Sequence, residues 1–345
     1  TGILRDGAMA IVLGKVPAPS LADRRRALRV GQAEAHALGL AAVHVMEGRE
    51  TLEALQAMHQ GDELTLRVTL LPPFALLVHL KALGITSGFG DERLRLGQLK
   101  LFADGSLGSR TAWMLEPFAD DPGNRGIAVL DEDALVEAVA EAHAAGWPCA
   151  IHAIGDAANR AALSALGSVP RVPCPFADRI EHVQVLRPED MSLFPTLGVV
   201  ASMQPVHVST DWRLADRLWG ARSRWGYAWR SLSDAGAVLA FGSDAPVEPL
   251  NPWAGLQVAV TGRGLDGLPA GGWHPEERLG LDEALRGFTV GVAAAGGRPQ
   301  GGSLAPGNPA DFIGLDDDPF ACPPDQLAGV RPRCTYVGGE LVFSR

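Results

Sequence analysis

His44, Lys100, His152, His182, His207 with Gln204, and Asp244 all stand at the ends of short apolar runs in this chain. Imidazoles, a carboxylate and an amine that can change its charge suit a zinc-like centre with an open coordination position. Lys100 is the most informative of them. It lies in Leu-Gly-Gln-Leu-Lys-Leu-Phe (96–102), which breaks into the Gly-rich loop Ala-Asp-Gly-Ser-Leu-Gly-Ser-Arg (103–110). A Lys inside a buried strand is costly unless it is paired or chemically changed. Only Lys15, Lys81 and Lys100 are lysines among 30 basic residues, so 27 positive charges are carried by Arg. Arg keeps its proton in a protein, whereas a buried Lys can become a neutral, reactive amine.

Plainer readings stand beside each of these. A strand-end Lys can snorkel to solvent, and a single His beside an apolar strand is most often a hydrogen-bonded core residue. His44 reads as readily as structural, and Asp244 in Phe-Gly-Ser-Asp-Ala-Pro reads on its own as a helix cap. Asp104, Asp156 and Arg110 divide evenly between holding loops and facing a ligand. What weights the set toward chemistry is its recurrence at the same end of consecutive strands, because a closed parallel barrel brings those ends together.

The elements that would position these groups alternate. Ser20 caps a helix that Gly39 stops, and further helices are expected near 51–59, 74–83, 131–145, 156–166 and 281–295. Between them lie apolar strand candidates at 40–45, 64–71, the Lys100 run, 148–153, 179–183, 199–203 and 238–242. Strands that alternate with helices imply right-handed βαβ units and a parallel sheet. Seven strands are one short of a (β/α)₈ barrel, and a doubly wound open sheet is the alternative architecture. After Ala295 the texture changes, and 304–315 and 333–343 read as antiparallel strands joined by turns.

A net charge of −10, with scattered Arg, gives no footprint for nucleic acid or an anionic membrane surface. Cys149, Cys174, Cys322 and Cys334 show no paired spacing, so no disulfide framework is expected. No stretch is long and apolar enough to span a bilayer. The chain opens at Thr1 rather than Met, and we expect it to be a fragment.

Five motifs occur in order: Lys-Leu-Phe-Ala-Asp-Gly-Ser-Leu-Gly-Ser-Arg (100–110), His-Ala-Ile-Gly-Asp (152–156), Arg-Ile-Glu-His-Val-Gln (179–184), Ala-Ser-Met-Gln-Pro-Val-His (201–207) and Gly-Ser-Asp-Ala-Pro-Val (242–247). Together they resemble the amidohydrolase superfamily, in the family 3 branch of YtcJ-like and N-substituted formamide deformylase-like proteins. The resemblance implies an α/β fold, a (β/α)₈ TIM-type barrel lacking its first strand over 1–300, and the C-terminal strands of a small β-sandwich domain over 301–345. It implies one or two divalent metal ions, zinc foremost, held by Lys100, His152, His182 and Asp244, with Lys100 carbamylated in many relatives. Asp244 would also be the catalytic proton shuttle. The family's His-x-His on strand one has no counterpart here. Gln204, His207, Asp104, Arg110 and Trp212 are the candidates for binding substrate.

The activity expected is hydrolysis of amide-like C–N bonds by metal-activated water. Two rivals remain: a catalytically incompetent remnant acting as a scaffold or binding protein, and a lyase using Lys100 as a Schiff-base amine. The expected partner is a small amide-like molecule, with no nucleic acid and no membrane. A homo-oligomer and a cytoplasmic location complete the expectations.

Overall fold

The computed structural model describes residues 11–345 except Leu13. The N-terminal helix, Leu21–Ala37, begins as its sequence dictates. The Ser20 side chain accepts from Asp23 N while Asp23 reaches back to Ser20 N, a reciprocal capping box. Gly39 follows its end in the left-handed region, at φ +88°.

Eight short parallel strands form two sheets. β1 (Ala42–Val45), β2 (Arg67–Leu70) and β3 (Leu94–Leu96) make the first, and β4 (Leu99–Phe102), β5 (Cys149–Ala153), β6 (Arg179–His182), β7 (Val200–Met203) and β8 (Val238–Phe241) the second, each in chain order. β3 and β4 are two parts of one strand interrupted at Gly97–Gln98. Gly97 N donates to Leu70 O and Lys100 N to Pro72 O, so this strand joins the two sheets. Glycine is required at this join, since a Cβ on Gly97 would lie 2.6 Å from the Thr69 methyl. Read this way there are seven staves, in an α/β arrangement consistent with a TIM-type barrel. Among the described residues β1 pairs with no strand but β2, and β8 with none but β7.

Helices follow the strands and cover the outer face. Leu99, Leu101, Cys149, Ile151 and Ile180 are buried in the same core as Leu135 and Val139 of helix Glu132–Ala144 and Leu163 of helix Asp156–Ser168. Helices Val208–Trp219 and Pro252–Thr261 were not foreseen from the pattern. The second is buried at nearly every position, which removes the polar face that periodicity needs. The expected helix 281–295 is real but contains a wider, π-type turn at Gly287–Gly291. A Cβ at Gly291 would fall 1.9 Å from Leu239 O, so this helix lies directly on the β8 backbone.

Register places two rings of side chains on the inner face of the second sheet. Lys100, Ala150, Arg179, Val200 and Val238 align across it, and Phe102, His152, Glu181, Ser202 and Ala240 align one step nearer the strand ends. Bulky branched residues ordinarily fill such a lumen. Here Lys100, Arg179, His152 and Glu181 take up part of it. At the C-terminus β9 (Phe312–Gly314), β10 (Cys334–Val337) and β11 (Glu340–Ser344) form the expected antiparallel sheet, which packs against helix Leu21–Ala37. Thr335 Oγ1 donates to His36 O, and Arg67 of β2 is bonded to Asp311. Among the described residues no helix is long and apolar enough to cross a membrane.

Candidate metal centre

Lys100, His152, His182, His207 and Asp244 meet at the C-terminal ends of β4 to β8. The His152 and His182 rings are 4.6 Å apart edge to face, and those of His182 and His207 are 6.1 Å apart. His207 Nε2 lies 3.4 Å from Asp244 Oδ2. Simple alternation would send His182 to the helix side, since it shares parity with outward-facing Ile180. The backbone prevents this. His182 and Val183 both lie in the left-handed region, at φ +75° and +46°, and so does Asp244, at +58°. Each such residue costs on the order of 1–3 kcal/mol and persists only where its surroundings over-determine it.

Hydrogen bonds fix which nitrogen each imidazole offers. His152 Nε2 is 2.8 Å from Gly105 O, an acceptor without a proton, so Nε2 carries the hydrogen and Nδ1 keeps its lone pair. His182 Nδ1 donates to Gln204 Oε1 at 2.8 Å, which leaves Nε2 free. Both rings are kept neutral. Burial, with Lys100 nearby, presses His152 down to about 4. Burial, then His152, Lys100 and His207, hold His182 well below the usual imidazole range. Neutral rings with an oriented outer partner are what a metal requires of histidine.

Lys100 Nζ is buried without a hydrogen-bond partner and sits 4.8 Å above the Phe102 ring. Burial pulls its amine down to about 8, helped by Arg179 and opposed by Glu181 and Asp244. An orphaned buried amine, two oriented neutral imidazoles and a strained carboxylate fit a divalent ion. Beneath them Arg179 Nε lies 2.6 Å from Glu181 Oε1, both side chains 1% exposed, and Arg179 Nη1 donates to His44 Nδ1. His44 is therefore committed to the lumen network.

The substrate candidates scatter. The Asp104 carboxylate is fully buried and accepts from Trp113 N, Ile154 N and Gly155 N, with His152 Nε2 at 3.4 Å. It ties the loop after β4 to the end of β5, and burial raises it to about 7 against those donors. Gln204 is spent on His182. Arg110 bonds to Asp120 at 2.7 Å within its own loop. The Asp104 carboxylate and Gln204 Oε1 are thus occupied by the protein itself and Arg110 is held through Nη2, whereas the half-buried Trp212 keeps an unpartnered Nε1 under Arg213, whose guanidinium is 4.2 Å from the ring. His207 stays in the centre, its Nδ1 3.7 Å from Glu248 Oε1. Burial lowers His207, but Asp244, Asp211 and Glu248 outweigh it and the net direction is upward.

Reading the sequence missed Phe102, Asp211, Tyr227 and Glu248. Phe102 is 49% exposed beside His152, and Tyr227 OH donates to Asp211 Oδ2 at 2.6 Å behind His207. Phe102 shares a strand face with Lys100 two residues away, a signal available in the pattern. The others had none.

A second cluster lies at the opposite strand ends, where His143, Cys149 and Asp178 bring one ligand-type atom each within 4.8 Å of the others. Its hydrogen bonds are complete. His143 Nδ1 faces Pro170 O and Nε2 faces Asp178 Oδ1, both at 2.9 Å, and Asp178 also accepts from Cys149 N. Two oxygen acceptors require both ring nitrogens to donate, so this is an imidazolium–carboxylate pair.

A family model described as "Amidohydrolase family" matches residues 1–343. The putative amidohydrolase YtcJ of Bacillus subtilis is 31% identical, over 100% of this chain and 66% of that protein. The N-substituted formamide deformylase of Arthrobacter pascens is 27% identical over 73% of this chain and 46% of its own length. An uncharacterized metal-dependent hydrolase from Pyrococcus furiosus superposes with a TM-score of 0.81 at 31% identity, covering 93% of this chain and 66% of that one. The chain thus spans about two thirds or less of the length of these relatives. With the match running over nearly every residue, the chain belongs to the amidohydrolase family.

Proposed function

We propose that the protein is a metal-dependent hydrolase of amide-like C–N bonds. The observation that carries this is the pair of outer hydrogen bonds, donated to Gly105 O and Gln204 Oε1, that leave His152 Nδ1 and His182 Nε2 free beside Lys100 and Asp244. Lys100, His152, His182 and Asp244 would hold one or two divalent ions, zinc foremost. When bound, such an ion supplies Lewis acidity and lowers the pKa of water to about 7. Carbamylation would turn the orphaned Lys100 amine into an anionic oxygen ligand, which removes the cost of its burial.

The chain's own residues do the rest. The half-exposed Asp244 takes the proton of the attacking water and returns it to the departing amine. Phe102 and Trp212 offer apolar surface to the substrate, a small amide-like molecule. Asp104 acts behind them by holding the loop whose Gly105 carbonyl orients His152.

Residues 1–300 would form the barrel and 301–345 the C-terminal part of a β-sandwich, with a further strand between β8 and β1 supplying the His-x-His. We place the protein in the cytoplasm, as a homo-oligomer, where its four free thiols stay reduced. Among the described residues β1 and β8 each have an unpaired edge, which favours a second reading. On that reading this chain alone is a scaffold, and its edges are competent to pair with another strand.

The test is hydrolysis of a panel of N-substituted amides, by this chain and by a form extended upstream through one more strand. Activity of the extended form that chelation abolishes and zinc restores supports the hydrolase. Chelator-insensitive turnover trapped by borohydride would instead identify a Schiff-base lyase. An inactive extended form leaves the scaffold reading.

A further inference from the structure

We propose that His207 is itself a metal ligand, and that His182, His207 and Asp244 form a site for one divalent cation contained within this chain. The proposal deepens the hydrolase reading and rests on it. The ligand atoms of these three residues all lie within 4.8 Å of one another. They come from different elements, His182 ending β6, His207 in the single turn Pro205–His207 after β7, and Asp244 in the loop after β8.

The distance between His207 and Asp244 fits a shared ion. An imidazolium–carboxylate hydrogen bond draws nitrogen and oxygen to about 2.7–2.9 Å. The His143–Asp178 pair of this same protein is at 2.9 Å. His207 Nε2 and Asp244 Oδ2 stand 3.4 Å apart. Two ligands each about 2.0–2.1 Å from a tetrahedral ion are separated by roughly 3.3–3.4 Å. The pair is spaced for an ion between its atoms.

The outer partners agree. Gln204 occupies His182 Nδ1, leaving Nε2 for the site. On the far side of His207, Nδ1 faces Glu248 Oε1, and Thr210 Oγ1 fixes that carboxylate with a 2.7 Å bond. A carboxylate behind a metal-bound imidazole sets its tautomer and strengthens it as a donor. Glu248 beside the ring, and Asp211 held by Tyr227 behind it, add negative charge that favours a divalent cation there. Two imidazoles and one carboxylate select zinc, cobalt, manganese or ferrous iron over calcium and magnesium. The Asp244 side chain is 38% exposed, so a fourth position opens to the barrel mouth. Lys100 and His152 lie on the other side of His182.

The experiment measures zinc bound at equilibrium by the full 345-residue chain, stripped with chelator and titrated with zinc alone, with cobalt absorption as a second readout. We expect one ion per chain, and an affinity loss of at least roughly 100-fold in His207→Ala and in the size-matched His207→Gln. The cobalt ligand-field bands should change in Glu248→Gln, with a loss of about tenfold. His152→Ala should lose less affinity than either His207 variant. Full zinc binding by both folded His207 variants, with the loss falling on His152→Ala and Lys100→Ala, overturns the proposal and leaves the hydrolase reading standing. A wild-type chain that takes up no ion also overturns it, while the hydrolase reading still answers to chelator sensitivity in the extended form.

Discussion

The two His–carboxylate clusters at opposite ends of the strands use the same residue types for opposite purposes. At the N-terminal ends, His143 and Asp178 are fully bonded at 2.9 Å, and the Cys149 thiol beside them is inert because burial, then Asp178, push it well above its ordinary range. At the C-terminal ends the atoms are held apart, one amine has no partner, and two of the residues that matter have left-handed backbones. A satisfied cluster contributes stability. An unsatisfied one stores the capacity to bind, and the N-terminal cluster sits on the face of a barrel where stability is the usual role.

The comparison breaks most visibly at Asp244. Asp244→Asn should lower kcat of the extended, metal-loaded form by about 10²–10⁴-fold, the usual contribution of a positioned proton-transfer group. Its urea midpoint should stay within error of wild type. Asp178→Ala should do the reverse. Removing one member of a buried ion pair costs about 3–5 kcal/mol, so denaturant unfolding should shift strongly while zinc content per folded chain is unchanged. Equal effects of both substitutions on metal binding would erase the distinction.

A smaller effect sharpens it. Gln204→Leu should weaken zinc binding by about 10–100-fold, since an outer partner sets the His182 tautomer. Gln204→Glu, which keeps an acceptor for Nδ1–H, should restore most of the affinity. Nitrogen NMR of the metal-free chain should show the His182 proton on Nδ1 in wild type and no longer fixed there in Gln204→Leu. The smallest effect is on pH. Burial lowers the His143 pKa, but its bond to Asp178 outweighs burial and raises it above 6.5. The pair's contribution is therefore complete below pH 6.5 and is lost as pH rises through the folded value. The advantage of wild type over His143→Asn in unfolding free energy should shrink above neutrality, and an advantage that grows there would reverse the assignment.

Much of this molecule is legible in its residues taken in order. The capping box at Ser20, the alternation of strands and helices, and the placing of Lys100, His152, His182 and Asp244 at strand ends follow from local pattern and from five motifs. The need for glycine at position 97 was not legible, because it is set by the Thr69 methyl on a neighbouring strand. Helix Pro252–Thr261 was missed because burial at nearly every position leaves no polar face to read.

The sequence by itself determined the family, the strand count and the residues that could do chemistry, since each depends on residue type and short-range spacing. Only the tertiary structure decided what those residues are free to do. Asp104 meets Ile154 and Gly155 across 50 and 51 positions, Gln204 meets His182 across 22, and Arg179 meets His44 across 135. Hydrogen-bond partners of that kind are supplied by neighbouring strands, and periodicity along one strand carries no record of them. The left-handed turn that brings His182 into the centre, against its own alternation, is decided in the same way.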